Sequence, residues 1–342
     1  MDFGLDKKHE MARTLFKEFA ENEVKPLAQE VDETEVFPRA TVEKMAKYGF
    51  LGIPVPKEYE GQGCDPLTYV MCVEELAKVC ATTSVIVSAH TSLCIDPILT
   101  YGTPEQKAKY VPELASGRKL GAFGLTEPGA GTDAQGQQTK AVLDGDEWVL
   151  NGSKCFITNG GIASFYCVTA MTDKTKGVKG MSMFFVEKGT PGLSTGKEEN
   201  KMGIRTSNTC DVVLEDVRIP ASNLIGEEGR GFNIAMQTLD QARTWMGCVA
   251  TGIAQRGINE AIAYGKERVQ FGKPIIKNQA LKFKVADMEI KTETARQMVA
   301  HALTKMDLGL PYTKESAIAK CYASDIAMEV ASEAIQMFGG YG

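Results

Sequence analysis

Residues 119–159, KLGAFGLTEPGAGTDAQGQQTKAVLDGDEWVLNGSKCFITN, decide how the rest of the chain is read. The stretch opens on an apolar segment, 120–125, and passes into a loop carrying Gly129, Gly131 and Gly136. Two β-like runs follow, at 140–143 and 148–150, and the stretch closes on Phe156-Ile157-Thr158-Asn159. Glycine has no Cβ to hold a ligand away from the backbone. Thr126, Thr132 and Thr158 add hydroxyls, and the loop's N–H groups add donors. Such a loop suits a flat ligand with many acceptors lying along a sheet edge. The glycines alone fit a β-turn of a small barrel better. GAGTDAQG matches neither the dinucleotide-binding fingerprint nor GxxxxGK[ST].

Around this stretch the composition is that of an ordinary globular protein. With 342 residues, 43% of them apolar and 24% charged, the chain can bury a large core and divides into two or three structural units. A net charge of −6 argues against a nucleic-acid role, which calls for a basic patch. There is no run of about 18 apolar residues, so no membrane span is expected. MDFGLDKKHE has no apolar signal core, which points to the cytoplasm. The nine cysteines are scattered, odd in number and without a CxxC pair, so buried free thiols are expected. His9, His90 and His301 lie far apart and make no ligand pair, and no metal is expected.

In chain order, 7–117 reads as helical. Met11, Leu15, Phe16, Phe19 and Ala20 share one face, and Thr103-Pro104-Glu105-Gln106 is a helix start with a capping-box pattern. From 119 to 225 short β-rich runs alternate with Gly, Asp, Asn and Lys clusters, which predicts a small antiparallel barrel or sandwich. Long helical patterns return from 230 to 334, broken at Gly272-Lys273-Pro274 and Gly309-Leu310-Pro311. The expected class is α+β: a helical domain at 1–118, a small antiparallel β domain at 119–227 and a helical domain at 228–342.

Taken whole, FGLTEPGAGTD at 123–133 and FITNGG at 156–161 resemble the flavin-binding middle domain of the acyl-CoA dehydrogenases. KMGIRTS at 201–207, LDQAR at 239–243, RVQFGKP at 268–274 and QMFGGYG at 336–342 agree in order, and MDFGL begins the match. EFAENEVKP and VEELAKV are similar to bacterial short-chain (butyryl-CoA) members. The resemblance implies FAD-dependent α,β-dehydrogenation of a short-chain acyl-CoA, or the reverse reduction. It also implies electron exchange with an electron-transferring flavoprotein, and a homo-oligomer, dimer or tetramer.

Residue by residue, the resemblance places Phe123, Leu125, Thr126, Phe156, Ile157 and Thr158 against the isoalloxazine, and Gly131 and Thr132 where loop and acyl-CoA meet. Arg268, Gln270, Phe271 and Gln279 resemble a segment that reaches FAD in a neighbouring subunit, and Gln336, Gly339 and Gly340 a second one. An arginine fork suits a pyrophosphate. Asp240 and Arg243 match positions at the start of a helix that contact CoA. The bland readings are core packing for Phe123 and Phe156, and a solvated charge beside Glu267 for Arg268.

Two departures from the pattern stand out. Where relatives commonly carry GGRIG, this chain has Gln241-Ala242-Arg243-Thr244-Trp245, followed by Met246. Trp245 and Met246 either shape the acyl pocket or pack between helices. The family's glutamate base usually follows FGGYG, beyond the residues given, and in a minority of members it precedes the arginine, where this chain has Ala242. No catalytic residue is therefore assigned. Either the sequence stops short of the base, or the protein binds flavin and acyl-CoA without dehydrogenating, or another residue serves. An acyl-CoA oxidase is the alternative enzyme.

Overall fold

The computed structural model describes residues 5–342; the first four residues of the MDFGL match lie outside the described residues. Helices fill the chain up to Ala115: α1 (Lys7–Phe19), α2 (Lys25–Thr34), α3 (Arg39–Lys47), α4 (Pro66–Ala77), α5 (Ala81–Ala89), α6 (Asp96–Tyr101) and α7 (Pro104–Ala115). Strands follow: β1 (Gly121–Gly124), β2 (Lys140–Asp144), β3 (Glu147–Thr158), β4 (Phe165–Met171), β5 (Met181–Glu187), β6 (Leu193–Glu198), β7 (Thr209–Pro220) and β8 (Leu224–Ile225). The chain ends in α8 (Gly231–Glu267), a small hairpin of β9 (Val269–Gln270) and β10 (Lys273–Pro274), α9 (Gln279–Asp307) and α10 (Thr313–Phe338). This is the expected α+β succession, and it forms two compact units.

The first unit joins residues up to Gln29 with Pro66–Val85 and Arg243–Gly342. Its core is rich in alanine: Ala254, Ala261, Ala295, Ala323 and Ala334 surround Ile258 and Val330. Small side chains let helices approach closely, and at Gly252 a Cβ would stand 2.6 Å from that of Ala77. Where α4 turns polar, its carboxylates are paired. Arg296 Nε and Nη2 donate to Glu74 at 3.0 and 2.9 Å, while Arg13 and Lys78 reach Glu75 at 2.9 and 2.8 Å. Burial alone would raise the Glu75 pKa, but these two cations outweigh it and hold it low.

The second unit comprises Glu30–Asp65 and Ile86–Ala242. Its sheet runs β6-β7-β3-β2-β4-β5-β8, with β1 beside β4. Most pairs are antiparallel, but β1 lies parallel to β4 (Gly121↔Phe165), and Lys140 of β2 pairs in parallel with Met171. The parallel pairing arises because the β2–β3 hairpin intervenes, so the chain re-enters the sheet in its original direction. Every residue of β4 is buried, as in a strand covered on both faces. One face packs Trp148, Leu150, Tyr166, Val168 and Phe184. The other carries Tyr110 of α7, its ring tilted against that of Phe185 with centroids 3.9 Å apart.

Two polar devices seat the helices of this unit on the sheet. Thr103 and Gln106 form the capping box expected for α7, and the Gln106 amide also donates to Ser222 O at 2.6 Å and Leu224 O at 2.8 Å. His90, in the π-helical turn after α5, accepts from Gly121 N at 3.0 Å through Nδ1 and so donates to Leu114 O at 3.0 Å through Nε2. Burial lowers its pKa to about 4, so it works as a neutral bridge that fixes the start of β1.

Trp245 belongs to the core of the first unit: it is 2% exposed and meets Tyr69 edge-on at 5.1 Å. Met246, by contrast, is exposed. Trp245→Ala is expected to destabilise the protein by about 3–5 kcal/mol, the usual cost of emptying a large aromatic site. Thermal unfolding checks this; a variant as stable as the parent would return Trp245 to a pocket role.

Candidate functional site

Phe123, Leu125 and Thr126 leave the sheet at the end of β1, while Phe156, Ile157 and Thr158 end β3. Cys155 N donates to Thr126 O at 2.9 Å, which brings the two trios together. Between Lys154 and Ile157 the pairing of β3 with β7 slips by one residue. The extra residue is a β-bulge, and it re-aims the strand. Phe156 is turned outward, 63% exposed at φ +59°, while Ile157 returns to the core. A left-handed backbone at an aromatic residue is strained and persists only where its surroundings over-determine it. Core packing is therefore excluded for Phe156, whereas Phe123 remains half-buried against the core.

Asn159, also at positive φ, donates its N–H to Asn208 O at 2.7 Å. The segment before β7 thus lies alongside the end of β3. Three side-chain atoms here, Asn159 Oδ1, Thr206 Oγ1 and Ser207 Oγ, are buried without a hydrogen-bond partner in the described residues. Buried polar atoms are normally satisfied, so their clustering marks a place built for a further partner. In the loop, Gly129 and Gly131 have open space where a Cβ would stand, and Thr132 is exposed.

The loop's stem is closed by a network that the sequence reading missed. Lys154, 0% exposed, donates to Glu127 Oε1 at 2.7 Å, Gln137 Oε1 at 3.0 Å and Leu125 O at 3.2 Å. Glu127 also accepts from Gln138 N at 2.6 Å and Thr139 N at 3.1 Å, and the Gln137 amide donates to Leu125 O at 2.9 Å. Both ends of the loop are held by one ammonium and one carboxylate. Burial pulls the Lys154 pKa down to about 8 against the pull of Glu127. Burial would raise the Glu127 pKa, but Lys154 outweighs it and keeps the carboxyl ionised. The signal in the sequence was strand parity: Lys154 shares its face with Trp148 and Leu150.

In the first unit the structure gathers the candidates expected to reach FAD in a neighbouring subunit. The β9–β10 hairpin presents Phe271 at its tip, 96% exposed and at φ +52°, with Arg268 and Gln270 also exposed. Gln279 opens α9 and is exposed; Gln336 lies near the end of α10, and Gly339 and Gly340 follow it. The two segments meet, since Tyr264 stacks on Phe338 at 4.5 Å and the Arg268 guanidinium sits 5.8 Å over Tyr341. Arg268 is thus not a helix charge; it lies just past the end of α8. Asp240 and Arg243, expected at a helix start, lie one turn apart well inside α8, because no breaker interrupts 231–239 and the helix begins at Gly231. Among the described residues no three His, Cys, Asp or Glu side chains gather as a metal site, and no helix is long and apolar enough to cross a membrane.

Removing one member of the buried pair leaves the other charge unpaired, which costs about 3–5 kcal/mol. Lys154→Met and Glu127→Leu are each expected to lose about that much, and the double variant less than the sum of the two. A double-mutant cycle in urea reads the coupling; strictly additive losses would show that the pair does not hold the loop.

Comparison with known proteins agrees with this geometry. The chain matches "Acyl-CoA dehydrogenase, N-terminal domain" over residues 6–118, the middle domain over 122–217 and the C-terminal domain over 229–342. It is 55% identical to "Acyl-CoA dehydrogenase, short-chain specific" of Clostridium acetobutylicum, over all of this chain and 90% of that one. Among solved structures it is similar to butyryl-CoA dehydrogenase from Megasphaera elsdenii, at 48% identity and a TM-score of 0.98, covering 100% of this chain and 90% of the other. It is equally similar to a chain of a structure described as "Electron transferring flavoprotein of Acidaminococcus fermentans", at 51% identity and a TM-score of 0.98, with the same coverage. With its motifs in order along the chain and about half its residues identical to such relatives from end to end, this chain belongs to the acyl-CoA dehydrogenase family.

Proposed function

We propose that the protein is an FAD-dependent short-chain acyl-CoA dehydrogenase, working as three domains at 1–118, 119–227 and 228–342. The observation that carries the reading is the strained, outward Phe156 on the β3 bulge, next to Cys155, which is tied to Thr126, and flanked by Thr158. An exposed aromatic face, nearby hydroxyls, open glycines and unsatisfied buried polar atoms fit a flavin ring. The family's members are flavoproteins. Bound FAD would supply the hydride acceptor for the β-carbon. The chain's part is to seat the ring with Phe123, Leu125, Thr126, Phe156, Ile157 and Thr158, with Gly131 and Thr132 at the loop.

The acyl-CoA is assigned to Thr132, Asp240 and Arg243. The α-proton of a thioester is weakly acidic, so the site must stabilise charge developing on the carbonyl oxygen and keep water out. Glu127 is committed to Lys154 and two backbone N–H groups, and Ala242 has no ionisable group, so neither is given the base role.

Arg268, Gln270, Phe271 and Gln279, with Gln336, Gly339 and Gly340, are assigned to FAD bound by another copy of the chain. An apolar ring held outward on a strained hairpin tip supports this. So do exposed pairs seven residues apart, Phe283 with Ile290 on α9 and Met328 with Ile335 on α10, which favour self-association. Similarity to the Acidaminococcus chain supports an electron-transferring flavoprotein as redox partner.

Anaerobic titration of the FAD-loaded protein with butyryl-CoA is expected to bleach the oxidised flavin band, and slow recovery of the band in air separates the dehydrogenase from an oxidase. Binding without bleaching would favour a flavin- and acyl-CoA-binding protein instead. Arg268→Ala is expected to lower FAD retained through gel filtration with the fold intact; full retention would remove Arg268 from the FAD site.

A further inference from the structure

Within the second unit, α6 and the first part of α8 are joined by side-chain bridges that the flavin site does not use. The Gln241 amide, oriented as its neighbours require, donates to both Asp96 carboxylate oxygens at 2.9 and 2.8 Å. Thr100 Oγ1 adds a weaker contact to Asp96 at 3.4 Å. One turn earlier on α8, Tyr101 OH donates to Gln237 Oε1. Gln241 stands where short-chain relatives commonly have glycine, which could make no such bond, so the bridge belongs to the departure noted at 241–245.

We infer that Asp96 and Gln241 are a positioning pair that fixes the turn of α8 carrying Asp240, and so sets affinity for the CoA portion of the substrate. This rests on the proposed contact between Asp240 and CoA. An ionised Asp96 accepts from the amide through both oxygens, whereas a protonated one turns an oxygen into a donor and weakens the bridge. Burial pushes the Asp96 pKa up to about 7, so the bridge changes within the working range: strong above that pH and weaker below it. Among the described residues, Tyr101 on α6 and Arg230, just before α8, are ionisable groups that act at this spot. Burial is the largest cause that raises the Tyr101 pKa; Asp96 adds to the rise and Arg230 opposes it. Tyr101, its pKa raised, stays protonated between pH 6 and 8.

Calorimetric titration of the FAD-loaded protein with coenzyme A, which cannot turn over, tests the inference. Wild-type binding is expected to weaken as pH falls from 8 to 6. Asp96→Asn, isosteric but never ionised, is expected to bind more weakly than the wild type at pH 8 and as well as it at pH 6, keeping only the pH dependence that the phosphomonoester of coenzyme A itself imposes. Gln241→Gly is expected to bind about tenfold more weakly at pH 8, the factor given by ~1.4 kcal/mol, with the same residual pH dependence. Flavin content and melting temperature identify any variant that misfolds, and the wild-type profile needs no substitution. If Asp240→Asn leaves coenzyme A affinity unchanged, the assignment of Asp240 fails and takes the pair with it. If Asp240→Asn weakens binding while both pair variants keep wild-type affinity and pH dependence, the pair alone is overturned.

Discussion

The ammonium of Lys154 inside the sheet is the constraint on which the rest of the site depends. Placing that charge away from water is costly unless its hydrogen bonds are made, and Glu127, Gln137 and Leu125 O make them. In doing so they draw together the two ends of the Gly129–Gly136 loop, so the loop's open glycines hang from a rigid stem. A buried pair of this kind adds little net stability compared with well-packed apolar residues. Its value is that it tolerates one arrangement only, because any other leaves a charge unpaired.

The same stem explains how the strain beyond it is held. Lys154 immediately precedes the bulge, and Cys155 is tied to Thr126, so the chain reaches Phe156 with little freedom left. A positive φ at Phe156 and again at Asn159 costs on the order of 1–3 kcal/mol each. The register of β3 with β7 resumes at once with Ile157 opposite Cys210, which pins the bulge from its far side. Strain and rigidity thus sit side by side, as expected where a ligand ring must be met by a fixed surface. In the other unit Phe271 is held at a similar strained tip with nothing among the described residues covering it, a geometry suited to contacts with another molecule.

Periodicity and local chemistry determined much of this protein without the structure. The change of period at about 119 and its return at about 230 follow from which residues can share a face. The Thr103–Gln106 cap follows from spacing alone, because its partners are three residues apart. The ordered motifs point to the family because their residues and their order are read along the chain itself. What tertiary structure decided were the contacts between residues distant in the chain. Strand parity put Lys154 inward, but its charge argued for solvent, and only Glu127 approaching from the loop resolves that conflict. Gln241 looked like a departure beside Arg243 until α6 brought Asp96 to it. Trp245 fitted a pocket or a core equally well until Tyr69 closed over it. In each case the local sequence states what a side chain needs, while the fold alone supplies the distant partner, since burial energy depends on what surrounds a group and not on its neighbours along the chain.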